Sequence, residues 1–477
     1  MYSLLKKIIT EKDIQRQVSL LEQLLNHPNI TVKELAQEIH TTQRTIFSDL
    51  QLIRDQLPAG WQIDSSSQGI QLINEEKQLA TDLWSLFLPQ SVSVQFIKSL
   101  FFTKELSTAK FLQENGLSLE TLKRHTGKIN KHLKPYHIQI KLTAKTAQLS
   151  GDESAIRIFF HRLLIPFTHN NYFFEDYAIH EEHYSQYLKQ LNQSPLAVET
   201  EQIFGTCWFF INAIRVKANC RIDEFPFNEK DPLYQLYQLP LAELYKKEGV
   251  YLKEEESFFA FFCFLESWNY NNSFGEALAL AQHYPTLAAV AAQLTEQVAN
   301  QTQISLQQSQ LAENLLLLLL KYSESTWLSE QFQLEYQELL TERKDDDRYR
   351  SDEELLPILQ PILQLDNPVY LLNLIALLEQ QALFALQPQI MTVYFIFQGE
   401  PAWKVFLQQE LTDLLGRRVH LQNLEAFQLQ SVAFKPQDII VSNLPLEAVP
   451  VPVVYISTIP TKNELRQLTE LTLEHYL

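Results

Sequence analysis

The sequence predicts a multidomain, mainly α-helical protein: tandem winged helix-turn-helix domains, two helical modules, and a closing α/β domain with a small parallel sheet. Three observations carry this. Two segments in the first 150 residues each read as a short helix, a turn, a longer helix and two alternating strands. From Gly151 to about Leu386 the text becomes helical, with breaks at Pro166, Pro195, Pro226, Pro232, Pro285 and Pro368. After Gln389 apolar strands alternate with helices. The expected boundaries are 1–75, 76–150, 151–272, 273–387 and 388–477, and a chain of 477 residues is long enough for each part to bury a core.

In the first domain Thr31-Val-Lys-Glu-Leu-Ala-Gln-Glu-Ile39 gives the short helix, His40-Thr41 the turn and Thr42 to Arg54 the longer helix. Ile46, Leu50, Ile53 and Leu57 fall on one face and are expected to pack on Leu35 and Ile39, leaving Gln43, Arg44, Phe47 and Ser48 outward or at the helix start. Early positions of such a second helix meet base edges in the major groove. Trp61 to Asp64 and Gly69 to Ile73 form the wing, joined by Ser65 to Gln68.

The second domain repeats the pattern. Ser107 to Glu114 is the short helix, Asn115-Gly116 the tight turn, Ser118 an N-cap and Thr121 to Leu133 the reading helix. Leu122, Ile129 and Leu133 hold its inner face, while Lys123, Arg124, His125, Lys128 and Lys131 decorate the rest. Ile138 to Leu142 with Ala147 to Leu149 is a second wing, with Lys141 and Lys145 placed for phosphates. One such segment could be a small helical bundle with a chance turn; two in tandem are harder to dismiss. The expected DNA contacts are Gln43, Arg44, Thr45, Ser48 and Arg54 from the first domain and Lys123, Arg124, Lys128 and Lys131 from the second.

Charge partition agrees. The chain has a net charge of −18, yet residues 1–150 hold 18 Lys plus Arg against 14 Asp plus Glu, net +4, which leaves the remainder at 21 against 43, net −22. A polyanion is approached through the positive part, because each neutralised phosphate releases counterions. So modest a balance implies salt-sensitive binding with limited base specificity, assisted by helix N-termini, hydroxyls and amides.

Other classes are disfavoured. Cys207, Cys220 and Cys263 are too few and too irregular for a disulfide framework or zinc cluster, which suggests a reducing, cytoplasmic setting. Ten glycines form no phosphate loop, so no nucleotide cofactor is expected. No signal-like N-terminus or run of eighteen apolar residues is visible, so no membrane association is expected.

In the helical middle the expected helices are Glu153–Leu164, Glu181–Leu191, Glu199–Asn219, Leu233–Lys247, Glu254–Asn269, Leu287–Asn300, Ser305–Tyr322, Leu355–Leu363 and Val369–Ala385. Leu315 to Leu320 reads as a helix buried on all sides, and Arg343 to Arg350 as a solvated loop. The aromatic clusters Tyr172–Phe174 and Phe258–Phe264 are read as core. Among the histidines, His180 and His183 share one helical face, where they could be phosphoryl acceptors, a ligand pair or two solvated side chains. No third ligand is spaced to complete a metal site with them. His161, His169 and His283 are the other histidines of the middle.

The last domain reads Met391 to Phe397 as a buried strand, Ala402 to Leu415 as a helix, and Val419 to Leu424, Asp438 to Ser442 and Val453 to Ile456 as further strands, closed by a helix from Thr461 to His475. Sites in such sheets lie at strand carboxyl ends. Here that loop, Gln398-Gly-Glu-Pro401, has no Cys, Ser or His, so docking or oligomerisation is expected there and catalysis is not.

The order of these parts resembles the Mga-like (Mga and AtxA type) regulators of Gram-positive bacteria. The likeness rests on Thr42 to Leu50, the second helix-turn-helix around Ser118 to Leu133, Gly151-Asp-Glu-Ser-Ala-Ile-Arg157 and the terminal βαβ domain. It implies that the middle is two phosphotransferase-system regulation domains (PRD) phosphorylated on histidine, with His180, His183 and His283 as the candidates. It also implies an enzyme IIB-like C-terminal domain used for homodimerisation, although the phosphoryl-accepting cysteine of true enzyme IIB domains is absent. The implied partners are double-stranded promoter DNA, a phosphotransferase-system phosphocarrier protein and, at the promoter, RNA polymerase. The alternatives are a phosphocarrier or phosphotransfer protein, or an RNA-binding antiterminator-like regulator.

Overall fold

The computed structural model describes residues 3–474 except 28, 67–68, 76–78, 169–171, 175–176, 224, 226–227, 272, 325–351, 366–367, 387–390, 417–418 and 447–448. The Arg343 to Arg350 run and His169 lie outside the described residues. The chain divides into two compact units, Met1–Gln293 with Ala312–Ala376, and Leu294–Leu311 with Leu377–Leu477.

The first unit opens with α1 (Ser3–Ile8), α2 (Lys12–Asn26), α3 (Val32–Glu38) and α4 (Gln43–Arg54), then the antiparallel hairpin β1 (Trp61–Ser66) and β2 (Gly69–Asn74). The sequence explains each boundary. Thr31 caps α3 in a capping box with Glu34, His40 takes the left-handed conformation (φ 55°) in the turn, and the Thr42 side chain caps α4. Ile46, Leu50 and Ile53 are buried with Leu35, while Leu57 and Ile39 are only half-buried.

The second copy follows the same grammar after α5 (Val92–Phe102), a helix not anticipated above. A two-residue strand β3 (Leu106–Ser107) leads to α6 (Thr108–Asn115), Gly116 supplies the left-handed turn (φ 62°), and Ser118 caps α7 (Leu119–Leu133). Strands β4 (Gln139–Leu142) and β5 (Thr146–Ser150) close a three-stranded sheet of order β3-β5-β4.

Helices α8 (Glu153–Leu164), α9 (Tyr177–Asn192), α10 (Gln202–Lys217), α11 (Pro232–Lys247) and α12 (Glu254–Glu266) form the next layer, and the expected bounds differ from these mainly at the ends. One-sided burial does not describe α8, α10 and α12. From Ser154 to Leu164 every α8 residue is buried, and α10 and α12 are nearly as enclosed. The reason is position: α10 packs on α5, α8, α9 and α12, so it has no free side. Phe258 to Phe264 are all buried, as expected of core. Farther along come α13 (Leu280–His283), α14 (Pro285–Thr302), α15 (Leu311–Glu324), α16 (Asp352–Leu359) and α17 (Val369–Leu386). Leu315 to Leu320 are at most 5% exposed, as read from the sequence. Among the described residues α17 alone is long and apolar enough to cross a bilayer by length and composition, but it carries a buried Glu379.

In the second unit β6 (Met391–Ile396), α18 (Pro401–Leu415), β7 (Val419–Asn423), β8 (Ile439–Ser442), β9 (Val453–Tyr455) and α19 (Lys462–Glu474) build an all-parallel sheet of order β7-β6-β8-β9. Met391, Val393 and Phe395 face Leu407, Leu411 and Leu415 of α18 and Leu468 of α19. On the other face Tyr394, Ile396 and Ile440 pack against Leu429, Val432, Phe434 and Leu444. Both helices therefore cover one face, and a largely irregular segment covers the other.

Candidate nucleic-acid interface and histidine cluster

Helix α4 is seated by its inner face. Buried Asp49 accepts two hydrogen bonds from the Arg16 guanidinium of α2, Nε at 2.5 Å and Nη2 at 3.0 Å, and this bidentate pair fixes the helix rotation. Outward stand Gln43, Arg44 and Ser48, all exposed, with Phe47 at 60% exposure between them. Thr45 is half-buried and its hydroxyl lies 2.8 Å from that of Thr42, so it is engaged in the cap. Arg54 is exposed, and its guanidinium donates to Ser65 of β1, bracing the wing against the recognition helix.

Helix α7 presents Lys123, Arg124 and Lys131 exposed, with Lys123 2.9 Å from Glu120 one turn earlier. Arg124 and Lys131 form no ion pair among the described residues. Lys128 is half-buried, and its ammonium donates to the Thr10 carbonyl at 3.0 Å, holding the α1–α2 junction. His125 requires correction. Rather than decorating the surface it is 8% exposed, with Nδ1 bonded to the Thr10 hydroxyl, which also meets Ser93 at 2.7 Å. Helical spacing did not show this, because the residue that meets His125 comes from the N-terminal segment, 115 residues earlier. The wing lysines Lys141 and Lys145 are exposed. Residues 76–150 hold 11 basic against 5 acidic side chains, whereas residues 1–75 hold 7 against 9, so the positive surface belongs to the second domain. Dividing the count at residue 75 would have revealed this from sequence.

The histidines separate by environment. His161 is 1% exposed, stacked at 4.1 Å on Trp208, and its Nε2 donates to the Phe204 carbonyl at 3.1 Å. Burial pushes its pKa down to about 3, so it is a neutral core residue. His283 is half-buried with Nε2 donating to the Ala277 carbonyl at 3.2 Å. His180 and His183 both turn Nδ1 to the carboxylate of Glu248, at 2.8 and 2.7 Å, and Lys217 reaches the same carboxylate at 3.3 Å. Burial works to raise the Glu248 carboxyl, and the hydrogen bonds from His183, His180 and Lys217 outweigh it, holding it below the usual range. The expectation that no third ligand joins this histidine pair is corrected: Glu248 caps the end of α11, and only the packing of α9 on α11 brings it there.

The loop Gln398 to Pro401 at the carboxyl end of β6 holds neutral amides and a cap. Gln398 and Asn443 exchange hydrogen bonds of 2.8 and 2.7 Å, and Glu400 accepts from Trp403 at the start of α18.

Comparison with known proteins places these features. Residues 11–69 match the M protein trans-acting positive regulator (MGA) HTH domain and residues 76–164 the Mga helix-turn-helix domain. Residues 283–385 match a non-canonical single-stranded DNA-binding domain, although that segment holds 15 acidic against 5 basic side chains, a field that repels phosphates. The chain is 22% identical to the anthrax toxin expression trans-acting positive regulator of Bacillus anthracis over 98% of this chain and 100% of that protein. It is 24% identical to the capsule synthesis positive regulator AcpB of the same organism over 39% of this chain and 38% of that protein. With both DNA-binding domains matched in order and the full-length likeness behind them, the chain is an Mga/AtxA-type transcriptional regulator.

Proposed function

We propose that this regulator grips double-stranded promoter DNA through both recognition helices, with most of the electrostatic attraction supplied by the second domain. The observation that carries the reading is the exposure of Arg124, Lys131, Lys141 and Lys145 around a Ser-capped helix, beside an equivalent Thr-capped helix that presents Gln43, Arg44 and Ser48. Arg44, Arg124 and the lysines suit phosphates; Gln43 and Ser48 suit base edges. A duplex fits winged helices better than hairpin RNA. The buried His161 and the C-terminal loop without a nucleophile weigh against a phosphocarrier.

Regulation in this reading acts on the middle of the chain, as two PRD-like modules. His180 and His183 are the phosphoryl acceptors of the first and His283 of the second, with a phosphocarrier protein as donor. With Nδ1–H given to Glu248, each imidazole keeps its Nε2 lone pair as the nucleophile. A phosphoryl group there sets a second negative charge beside Glu248 and loosens the α9–α11 clamp. The enzyme IIB-like domain serves self-association: α18 leaves Val405, Phe406 and Leu414 exposed at 67%, 52% and 46%, apolar surface that a homodimer would cover. RNA polymerase is a partner at the promoter, and the protein works in the cytoplasm.

The test is binding of the full-length chain to a promoter-length duplex across a salt series, beside the R44A/R124A/K131A triple variant. Neutralising three phosphate contacts is expected to weaken binding on every sequence and to lower the salt slope by roughly 2–3. An unchanged slope would remove these helices from the interface.

A further inference from the structure

We propose that His180, His183 and Glu248 form a binding site for a divalent transition metal of the zinc class. His180 and His183 lie one turn apart on α9, Glu248 closes α11, and the three donor atoms lie within 4.8 Å of one another. Ligands at about 2.0–2.2 Å from a tetrahedral zinc stand roughly 3.3 Å apart. The observed nitrogen-to-oxygen distances of 2.7 and 2.8 Å therefore need to open only slightly. The carboxylate is already in place, since its side chain is 3% exposed and the Glu248 amide donates to the Tyr245 carbonyl at 3.0 Å. The imidazoles, 32% and 29% exposed, leave a route for the ion and room for a solvent ligand.

Donor chemistry selects the metal. Two imidazole nitrogens with one carboxylate oxygen suit zinc, cobalt or nickel; calcium and magnesium demand mostly oxygen. Each ring that now donates from Nδ1 would coordinate from that atom and carry its proton on Nε2. The bound ion would pin α9 to α11 where hydrogen bonds now do so. Lys217, at 3.3 Å from Glu248 and 47% exposed, is the cation that occupies the carboxylate, so the metal must displace it. This inference goes beyond the phosphorylation reading and stands without it, because no phosphoryl donor enters its test.

Equilibrium dialysis of the full-length protein against zinc, with cobalt absorption as a second readout, decides the matter. Wild type is expected to take up one equivalent that His180→Ala/His183→Ala loses and His283→Ala keeps. Glu248→Gln is expected to bind at least about tenfold more weakly, and Lys217→Met more tightly, because the competing ammonium is gone. Equal uptake by wild type and the double variant would overturn the proposal, as would no uptake by wild type. Should the double variant or Glu248→Gln fail to fold, Lys217→Met still decides on a largely solvent-facing side chain: unchanged affinity there counts against the site.

Discussion

At the scale of single residues, burial decides which histidines solvent can reach. His161 and the His180–His183 pair are equally plain in the sequence, yet His161 has its pKa driven to about 3 by burial while the pair keeps a third of its surface in solvent. The core histidine also gives the protein an acid sensitivity of known sign. Its folded pKa lies below the unfolded value of 6.5, so above pH 6.5 both states are neutral and it is indifferent. As pH falls from 6.5 toward 3 the unfolded state takes up the proton first and stability drops. Between pH 6.5 and about pH 5 the loss is roughly 2 kcal/mol. His161→Gln keeps a donor for the Phe204 carbonyl and does not titrate. Denaturant melts at these two pH values are expected to show that difference in wild type and a smaller one in the variant. An equal drop in both would place the acid sensitivity elsewhere.

Elements in this fold are joined by buried charges as much as by aromatic packing. Arg157 closes the Gly151 to Arg157 segment quoted above; it is fully buried and forks onto Glu256 of α12 at 2.8 and 2.9 Å, with Asn212 of α10 at 3.2 Å. Glu153, one turn earlier, accepts from Arg215 of α10, whose Nη1 also donates to the Leu100 and Phe101 carbonyls at the end of α5. These bonds satisfy carbonyls that the α5 C-terminus leaves without intrahelical partners. Glu256→Gln keeps the shape but removes the carboxylate that Arg157 grips with both Nη atoms in a dry site, leaving it only the Glu153 carboxylate, 3.2 Å from its Nε. Loss of about 3–5 kcal/mol in a urea melt is expected, whereas Arg157→Met with Glu256→Leu should recover much of it. A fully tolerated Glu256→Gln would mean the pair is solvated. Helices and strands were legible in the sequence because periodicity and caps are local, and so were Thr42 and Ser118 as the starts of reading helices. Arg54, Lys128, His125 and Glu248 were not, since what each meets lies 11, 118, 115 and 65 residues away along the chain.

For the whole molecule the same long-range contacts mean that the DNA-binding half and the first helical layer fold as one body. Met1–Gln293 belong to a single compact unit, and the aromatic core crosses residue 150: Phe101 meets Phe160 at 4.7 Å, and Tyr136 meets Phe159 at 5.5 Å. Gly151 sits at that crossing with φ 141°, and a Cβ there would lie 2.7 Å from Ile138 and 3.0 Å from the His137 carbonyl, so the chain turns against the second wing with no room for slack. Packing runs unbroken through this joint: α9 packs on α10, and α10 packs on α5 of the DNA-binding half. It also predicts how the protein can be cut. A fragment of residues 1–150 would expose Phe101, Tyr136 and the Leu100 and Phe101 carbonyls that Arg215 now caps. It is expected to lose cooperative unfolding by circular dichroism, whereas residues 1–293 melt with a sharp transition. If the 1–150 fragment instead melts cooperatively near the temperature of the full chain, the two halves are separate domains and the packing across residue 150 is dispensable to each.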